Sequence, residues 1–167
     1  DVSIRPGWFY HPEEDGKVKS PDQLVDLYYR SVGHNATLLL NFPVDRDGLI
    51  HPVDSANAVR FHKIIERELS HNLVAGMKPK VSNERGTEFA AKALTDNSWD
   101  TYWATADGVT TADITFTFKK PQKINRIMLQ EYIPLGQRVK KFVVEYLDGK
   151  QWKPVSQNEE TTTIGYK

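Results

Sequence analysis

The stretch S-P-D-Q-L-V-D-L-Y-Y-R-S-V-G-H-N-A-T-L-L-L-N-F, residues 20–42, decides the fold of the first part of the chain. Ser20 can cap a helix, Pro21 suits a first helical turn, and Gln23 stands where a capping box places a glutamine. The spacing predicts a helix that ends at Gly33. Its apolar face consists of Leu24, Val25, Leu27, Tyr28 and Val32.

The segments on either side of this helix complete an alternation of strands and helices. Residues 36–42 are apolar without alternation, which is typical of a parallel strand covered on both faces. A second helix is predicted over 53–70, and a strand is predicted through Ser3 to Arg5. This order favours an α/β fold. Two strands and two helices cannot close a barrel, so we expect residues 1–73 to be the C-terminal remnant of a larger (β/α) barrel.

The pattern changes near residue 72, and residues 74–167 are predicted to form a second domain. Apolar residues alternate with polar ones at 114–118 and 142–146, another apolar stretch spans 124–129, and Asp148-Gly149 indicates a hairpin turn. Short strands separated by turns predict an antiparallel β-sandwich. The expected fold is therefore α/β plus all-β: a barrel end followed by a sandwich, incomplete at both ends.

The composition excludes several classes of function. Lys plus Arg and Asp plus Glu both number 22, so nothing indicates a surface that binds nucleic acid. The absence of cysteine excludes disulfides, thiolate metal sites and cysteine nucleophiles. No apolar run approaches the length of a membrane span.

Two segments of the first part resemble a known enzyme family. D-V-S-I-R-P-G-W-F-Y-H-P-E-E-D and V-K-S-P-D-Q-L-V-D-L-Y-Y-R-S-V-G-H-N-A-T-L-L-L-N-F-P-V-D-R-D-G-L-I are similar to the end of the catalytic barrel in α-L-fucosidases of glycoside hydrolase family 29. The similarity is greatest to the subgroup that acts on α-1,3- and α-1,4-linked fucose. It implies retaining hydrolysis, a fucosylated glycan as partner, no catalytic cofactor, and a secreted or periplasmic bacterial enzyme.

The second part resembles the discoidin (factor V/VIII type C) module, a galactose-binding-like jelly roll. The resemblance lies in V-S-N-E-R-G-T-E-F-A-A-K-A-L-T-D-N-S-W-D-T-Y-W-A-T and L-Q-E-Y-I-P-L-G-Q-R-V. By this resemblance Asp96, Ser98 and Thr101 would contribute oxygens to a structural calcium site. Asn97 stands where glycine is common, and the usual late ligand falls beyond Lys167. A plain turn of polar residues is the alternative.

The family resemblance places both catalytic carboxylates upstream of this chain. Retaining glycosidases use two carboxyl groups about 5–5.5 Å apart, and no residue here matches either of them. Glu13, Glu14 and Asp15 are interpreted as a solvated charge cluster. We therefore expect the chain alone to be inactive.

The aromatic run Trp8-Phe9-Tyr10 supplies the candidate for substrate contact. Neighbouring side chains on an extended chain point to opposite sides, so the three cannot enter one core. Barrel enzymes bind substrate at the carboxyl ends of their strands, and a strand broken at Pro6-Gly7 would deliver Trp8 there. We expect Trp8 to contact the apolar side of fucose, although it could instead fill the end of the barrel. Arg5 is a second candidate, with a structural ion pair as its alternative.

A function without catalysis is the competing hypothesis. Discoidin-like modules bind glycans through their loops, so the chain could act as a carbohydrate-binding or adhesion module. Trp99, at the tip of the Asp96 loop, is a candidate for stacking on a sugar. The strand-helix alternation of residues 1–73 favours the enzyme, because a free-standing binding module has no use for part of a barrel.

Overall fold

The computed structural model describes residues 1–155 and 164–165, and the chain divides into two compact units, Asp1–His71 and Asn72–Lys167. Among the described residues, no helix combines the length and the apolar character that crossing a membrane requires. The first unit contains β1 (Val2–Ser3), a 3₁₀ turn (Pro12–Lys17), α1 (Pro21–Ser31), a 3₁₀ turn (Val32–His34), β2 (Leu40–Asn41) and α2 (Pro52–Leu69).

Both predicted helices of the first unit are present. At the start of α1, the Ser20 hydroxyl accepts from the Gln23 backbone and the Gln23 side chain accepts from the Ser20 backbone. This reciprocal pair satisfies two of the backbone donors that a helix start leaves open. The α-helix ends at Ser31 with Val32 as its C-cap, directly before the predicted stop at Gly33, and the chain continues through a 3₁₀ turn to Asn35, which takes the left-handed conformation with φ of 64°. Asparagine tolerates this conformation better than most residues.

The two strands of the first unit pair in parallel, as the unbroken apolar run predicted. Val2 lies opposite Leu40, and Ser3 lies opposite Asn41. The pairing continues in the hydrogen bond from the Ile4 amide to the Asn41 carbonyl, 3.0 Å long. The strands are shorter than predicted, because only two residues of each form the ladder. The polar ends of β1 and β2 therefore lie together at one edge of the sheet.

The buried core of the first unit is small. Ile4 and Leu24 are its fully buried apolar side chains among the described residues, and Tyr28 of α1 meets Phe61 of α2 edge to face with ring centroids 6.1 Å apart. Nine other large apolar side chains of this fully described unit are at least 40% exposed. They are Trp8, Phe9, Leu39, Val44, Leu49, Ile50, Val53, Val59 and Leu69.

The second unit consists of short strands and turns. Its described elements are β3 (Lys80–Val81), 3₁₀ turns at Thr87–Phe89 and Ala91–Leu94, β4 (Ile114–Thr115), a 3₁₀ turn at Ile133–Leu135, β5 (Glu145–Asp148) and β6 (Gln151–Pro154). β3 pairs with β4, and β5 pairs with β6, both antiparallel.

The β5–β6 pair confirms the predicted hairpin. Asp148 lies opposite Gln151, and Gly149 takes a positive φ of 64°, which glycine adopts without strain. Within the described residues, 124–129 does not belong to a strand, contrary to the sequence expectation. The two antiparallel sheets agree with an antiparallel β domain, whereas a complete sandwich stays a prediction, as does the barrel.

Candidate functional site

The loop that follows β1 brings Trp8 to the edge of the sheet where both parallel strands end. The Trp8 side chain is half exposed, at 52%, and Phe9 beside it is 78% exposed. The Trp8 carbonyl accepts a hydrogen bond of 3.0 Å from the side-chain amide of Asn41, at the end of β2. An indole face that is open to solvent at the carboxyl ends of parallel strands has the location and chemistry to pack on a sugar.

Arg5 lies directly beneath this loop and is buried between two carboxylates. Its Nε donates to Asp54 Oδ2 at 2.7 Å and its Nη2 donates to Asp54 Oδ1 at 2.8 Å, a bidentate pair with both side chains fully buried. Its Nη1 donates to Asp15 Oδ1 at 2.8 Å and to the His11 carbonyl. The hydrogen bond with Asp54 raises the pKa of Arg5 above its usual range against the opposing effect of burial, and the hydrogen bond with Asp15 raises it further.

These contacts are those of the structural ion pair, which was the alternative interpretation of Arg5. Burying a guanidinium costs its hydration free energy, and the two carboxylate partners compensate for that cost. The pair joins the segment directly after β1 to the first turn of α2, 49 residues along the chain. The role of Arg5 in binding substrate stays a prediction.

Tyr10 and His51 extend the same cluster. The Arg5 guanidinium lies 4.7 Å from the Tyr10 ring centroid, and the Tyr10 and His51 rings are 5.9 Å apart. The Tyr10 hydroxyl and His51 Nε2 both approach Asp15 Oδ2, at 3.4 and 3.5 Å. Desolvation, together with the Asp15 charge, raises the pKa of Tyr10. Tyr10 therefore packs against this cluster, whereas Phe9 is exposed.

The acidic turn Pro12–Lys17 does not behave as one solvated cluster. Glu13 is exposed, as expected. Glu14 instead approaches the Gly7 amide at 3.4 Å, and Asp15, one-third exposed, bonds to Arg5. Glu14 and Asp15 therefore contact the residues on either side of Trp8, at Gly7 and Tyr10. Asp15 and Asp54 both bond to the same guanidinium.

In the Asp96 loop of the second unit, Asp96 contacts both of the other predicted calcium ligands, Ser98 through its backbone amide and Thr101 through its hydroxyl, while the Ser98 hydroxyl accepts from the Asp100 amide. Asp96 Oδ1 accepts from the Ser98 amide at 3.0 Å, and Asp96 Oδ2 accepts from the Thr101 hydroxyl at 2.7 Å. These bonds, with that of Thr101 the stronger, lower the pKa of Asp96. Asn97 takes a left-handed φ of 59°, the conformation that glycine would adopt there. A carboxylate and two hydroxyls are hard oxygen donors, so the residues fit calcium in chemical type.

The two tryptophans near this loop differ in environment. Trp103 is partly buried, and its indole nitrogen donates to the Asn83 carbonyl at 3.1 Å. Trp99 is 64% exposed. Tyr102 stacks on Tyr132 with ring centroids 4.5 Å apart. Trp99 thus presents aromatic surface beside the Asp96 loop, whereas Trp103 packs against the body of the unit.

Histidines and acids do not form an evident metal centre in the part of the chain that the structure describes. No group of three or more His, Asp or Glu side chains there is arranged to hold a metal. His62 and Glu66 form an i,i+4 pair at 3.3 Å on the exposed face of α2. This pair fits a solvated helix surface.

Two residues of the first unit were missed by sequence reasoning. Asp54 is the third residue of α2, a position where an acid is explained by the helix dipole alone. Asn41 follows an apolar run and carries no motif of its own. The apolar run placed Asn41 at a strand end, and that position was the one signal that pointed to the site.

The comparisons with known proteins agree over both units. A protein-family model described as F5/8 type C domain matches residues 79–167, more than half of the chain. A rice protein provisionally named alpha-L-fucosidase 1 is 40% identical over the whole chain, which covers 32% of the rice protein. The chain spans about a third of the length of the curated relatives it matches.

Two solved structures show the same likeness in three dimensions. A Bacteroides thetaiotaomicron protein provisionally named an alpha-L-fucosidase is 46% identical, with a TM-score of 0.91; the match covers 99% of this chain and 36% of that one. A glycoside hydrolase family 29 fucosidase from Ruminococcus gnavus, solved in complex with fucose, is 34% identical, with a TM-score of 0.87. That match covers 99% of this chain and 33% of the fucosidase.

These findings confirm both resemblances seen in the sequence. The matched regions of the solved structures are the C-terminal regions of fucosidases. The rice relative shows that the likeness extends to plants, so a bacterial source stays a prediction. Through residues 79–167 the chain belongs to the F5/8 type C domain family, and over its whole length it is related to the C-terminal part of α-L-fucosidases of glycoside hydrolase family 29.

Proposed function

We propose that the chain is the C-terminal part of a retaining exo-α-L-fucosidase and that Trp8 forms one wall of its fucose site. The observation that carries the proposal is the likeness over the whole chain to fucosidases, one of them solved with fucose. The half-exposed Trp8 at the carboxyl ends of β1 and β2 supports the second part of the proposal, because barrel enzymes bind substrate at the carboxyl ends of their strands.

The catalytic carboxylates are proposed to come from an upstream barrel. Asp54 is fully buried in its bidentate pair with Arg5, and Asp15 bonds to the same guanidinium, so neither is free to attack a sugar. The exposed apolar side chains of the first unit are the surface that the upstream barrel would cover. They include Leu39, Val44, Leu49 and Val59.

The test is hydrolysis by the full-length protein. With α-1,3- and α-1,4-linked fucosyl oligosaccharides it should release fucose that is initially the α anomer, because retaining chemistry proceeds through two displacements. NMR of the first product gives the stereochemistry, and a panel of linkages gives the specificity. Initial release of β-fucose argues against the retaining mechanism, and preference for α-1,2 linkages argues against the subgroup assignment.

The second unit supports a carbohydrate-binding role beside catalysis. Trp99 is 64% exposed at a loop of an F5/8 type C domain, and aromatic surface of this kind can stack on a sugar. Calorimetric titration of the full-length protein with fucosylated glycans distinguishes the two sites. If the second unit is a binding module, Trp99→Ala weakens the binding of the glycan and Trp8→Ala leaves it unchanged. If Trp8 belongs to the fucose site, Trp8→Ala weakens the binding of monosaccharide fucose and Trp99→Ala leaves it unchanged.

Structural calcium at Asp96, Ser98 and Thr101 is proposed on the same resemblance. The hydroxyl of Thr101 and the carboxylate of Asp96 already converge, and a bound cation would pin the loop that carries Trp99. Calcium should raise the melting temperature of the chain and EGTA should reverse the rise, with both effects absent in Asp96→Ala.

Secretion or periplasmic export is proposed likewise, and fractionation of cells that express the full-length protein tests it.

A further inference from the structure

The side-chain amide of Asn41 joins three parts of the first unit at one point. Its Nδ2 donates to the Trp8 carbonyl at 3.0 Å and to the Ser3 hydroxyl oxygen at 3.2 Å. Ser3 belongs to β1, Asn41 to β2, and Trp8 to the loop between β1 and α1. We propose that Asn41 is a positioning residue that sets the place of the Trp8 indole at the rim of the fucose site.

The geometry requires an amide at this position. Nδ2 carries two hydrogens, and the two acceptors use both of them. The Trp8 carbonyl can only accept, so an aspartate at position 41 would set a carboxylate oxygen against it. The Ser3 hydroxyl can rotate and donate to such a carboxylate. Asn41→Asp therefore breaks the bond to the loop and leaves a bond to β1 available, at nearly unchanged side-chain size.

The other fixed points of the loop flank Trp8 without holding it. The Gly7 amide approaches Glu14 at 3.4 Å, which is at the long limit for a hydrogen bond. The Tyr10 hydroxyl approaches Asp15, also at 3.4 Å. In residues 1–155, the bond from Asn41 is the hydrogen bond that reaches the Trp8 peptide itself. The indole is attached to the Trp8 backbone, so a shift of that backbone also shifts the ring.

The consequence for catalysis rests on the proposed function of Trp8 as a wall of the fucose site. An apolar face that packs on the sugar in both ground and transition states contributes uniform binding, so its displacement raises KM and leaves kcat nearly unchanged. Loss of the Asn41 hydrogen bond favours loop positions in which the indole is displaced, and the apparent KM rises as the fraction of protein with the indole in place falls. We expect Asn41→Asp to raise KM about tenfold.

The experiment measures kcat and KM of the full-length protein on an α-1,3- or α-1,4-fucosylated trisaccharide for four variants. They are Asn41→Asp, Trp8→Ala, the double variant, and Asn57→Asp as a matched control. Asn57 Nδ2 also donates to a backbone carbonyl, that of Lys19, at 3.0 Å in the same unit. If Asn41 acts through Trp8, Asn41→Asp raises KM in the presence of Trp8 and adds less than twofold in the Trp8→Ala background.

Two kinetic results would overturn the inference. One is a KM for Asn41→Asp within twofold of the parent; the other is the same factor with and without Trp8. A general loss of stability would lower the melting temperature of Asn41→Asp and Asn57→Asp alike without moving KM. If Asn41→Asp does not fold, Asn41→Ala removes the donor without the added charge and is judged by the same criteria.

A second readout separates this inference from the proposed function. The protein is labelled with 5-fluorotryptophan, and the Trp8 fluorine resonance is assigned by its loss in Trp8→Phe. The resonance should shift in Asn41→Asp and stay in place in Asn57→Asp. If the protein hydrolyses no fucoside, the proposed function fails, and this shift still decides whether Asn41 positions Trp8. An unshifted resonance refutes the positioning role.

Discussion

Replacing Asp54 by asparagine removes one charge from a pair of side chains that are buried together. Arg5 and Asp54 both have fully buried side chains, joined by two bonds of 2.7 and 2.8 Å. Breaking such a pair by removing one partner costs about 3–5 kcal/mol, because the remaining charge is uncompensated. Asp15, at 2.8 Å from the same guanidinium, still compensates in part. We therefore expect a loss near the lower end, about 3 kcal/mol.

The assay is urea and thermal denaturation of the chain followed by circular dichroism at 222 nm. Both described α-helices, α1 and α2, lie in the first unit, so the helical signal reports its unfolding. A loss of about 3 kcal/mol corresponds to a fall of about 12–24 °C in melting temperature for a unit of this size.

Two further variants show whether charge is the cause. Asp15→Asn should cost less than about 1 kcal/mol, because Asp15 is one-third exposed and exposed pairs contribute little. Arg5→Met with Asp54→Leu should recover most of the stability, because the pair is then replaced by apolar groups. A cost below about 1 kcal/mol for Asp54→Asn would refute the reasoning, as would equal costs for Asp54→Asn and Asp15→Asn.

Three other predictions concern acid stability, calcium and exposed surface. Burial raises the pKa of Glu131, but its bonds from the amides of Val139, Arg138 and Gly165 lower it more, to a net value below the ordinary 4.5. The pKa of Glu131 is thus lower in the folded than in the unfolded protein, so the stability that this carboxylate contributes above about pH 4.5 is lost as the pH falls through the folded pKa. In that acid range the melting temperature of Glu131→Gln should depend less on pH than that of the parent protein. An equal pH dependence of the two melting temperatures contradicts this prediction. Terbium bound at the Asp96 loop should be sensitised by Trp99 and be lost in Asp96→Ala, whereas equal luminescence in both proteins places the ion elsewhere. The chain alone should bind the dye ANS through side chains such as Leu39 and Leu49 more strongly than the full-length protein per mole, and equal binding would show that these side chains need no cover.

The helices of the first unit could be predicted because their signals are local. The capping box of α1 depends on residues three apart, and α2 begins and ends within one residue of the range predicted from its apolar spacing. The parallel strand was predictable from an apolar run without alternation. Its length was not: seven residues were expected and two pair, because a ladder needs a partner that the sequence of one strand does not specify.

The candidate site was predictable only in part, for the same reason. Trp8 followed from a Pro-Gly break before three aromatics, all within five residues. The contacts that hold its loop join residues 33 positions apart, as with Asn41, and those that hold Arg5 join residues 49 apart. Such pairs leave no spacing pattern in a single sequence. Asp96, Ser98 and Thr101 lie within six residues of one another, so a local motif could bring them together.

Release of fucose from an α-1,3- or α-1,4-fucosylated trisaccharide tests the central claim most directly, with the full-length protein and the 167-residue chain assayed side by side. The account predicts turnover by the full-length protein, a raised KM in its Trp8→Ala variant, and no turnover by the chain alone. Turnover by the chain alone would contradict it, and so would a folded full-length protein that releases no fucose.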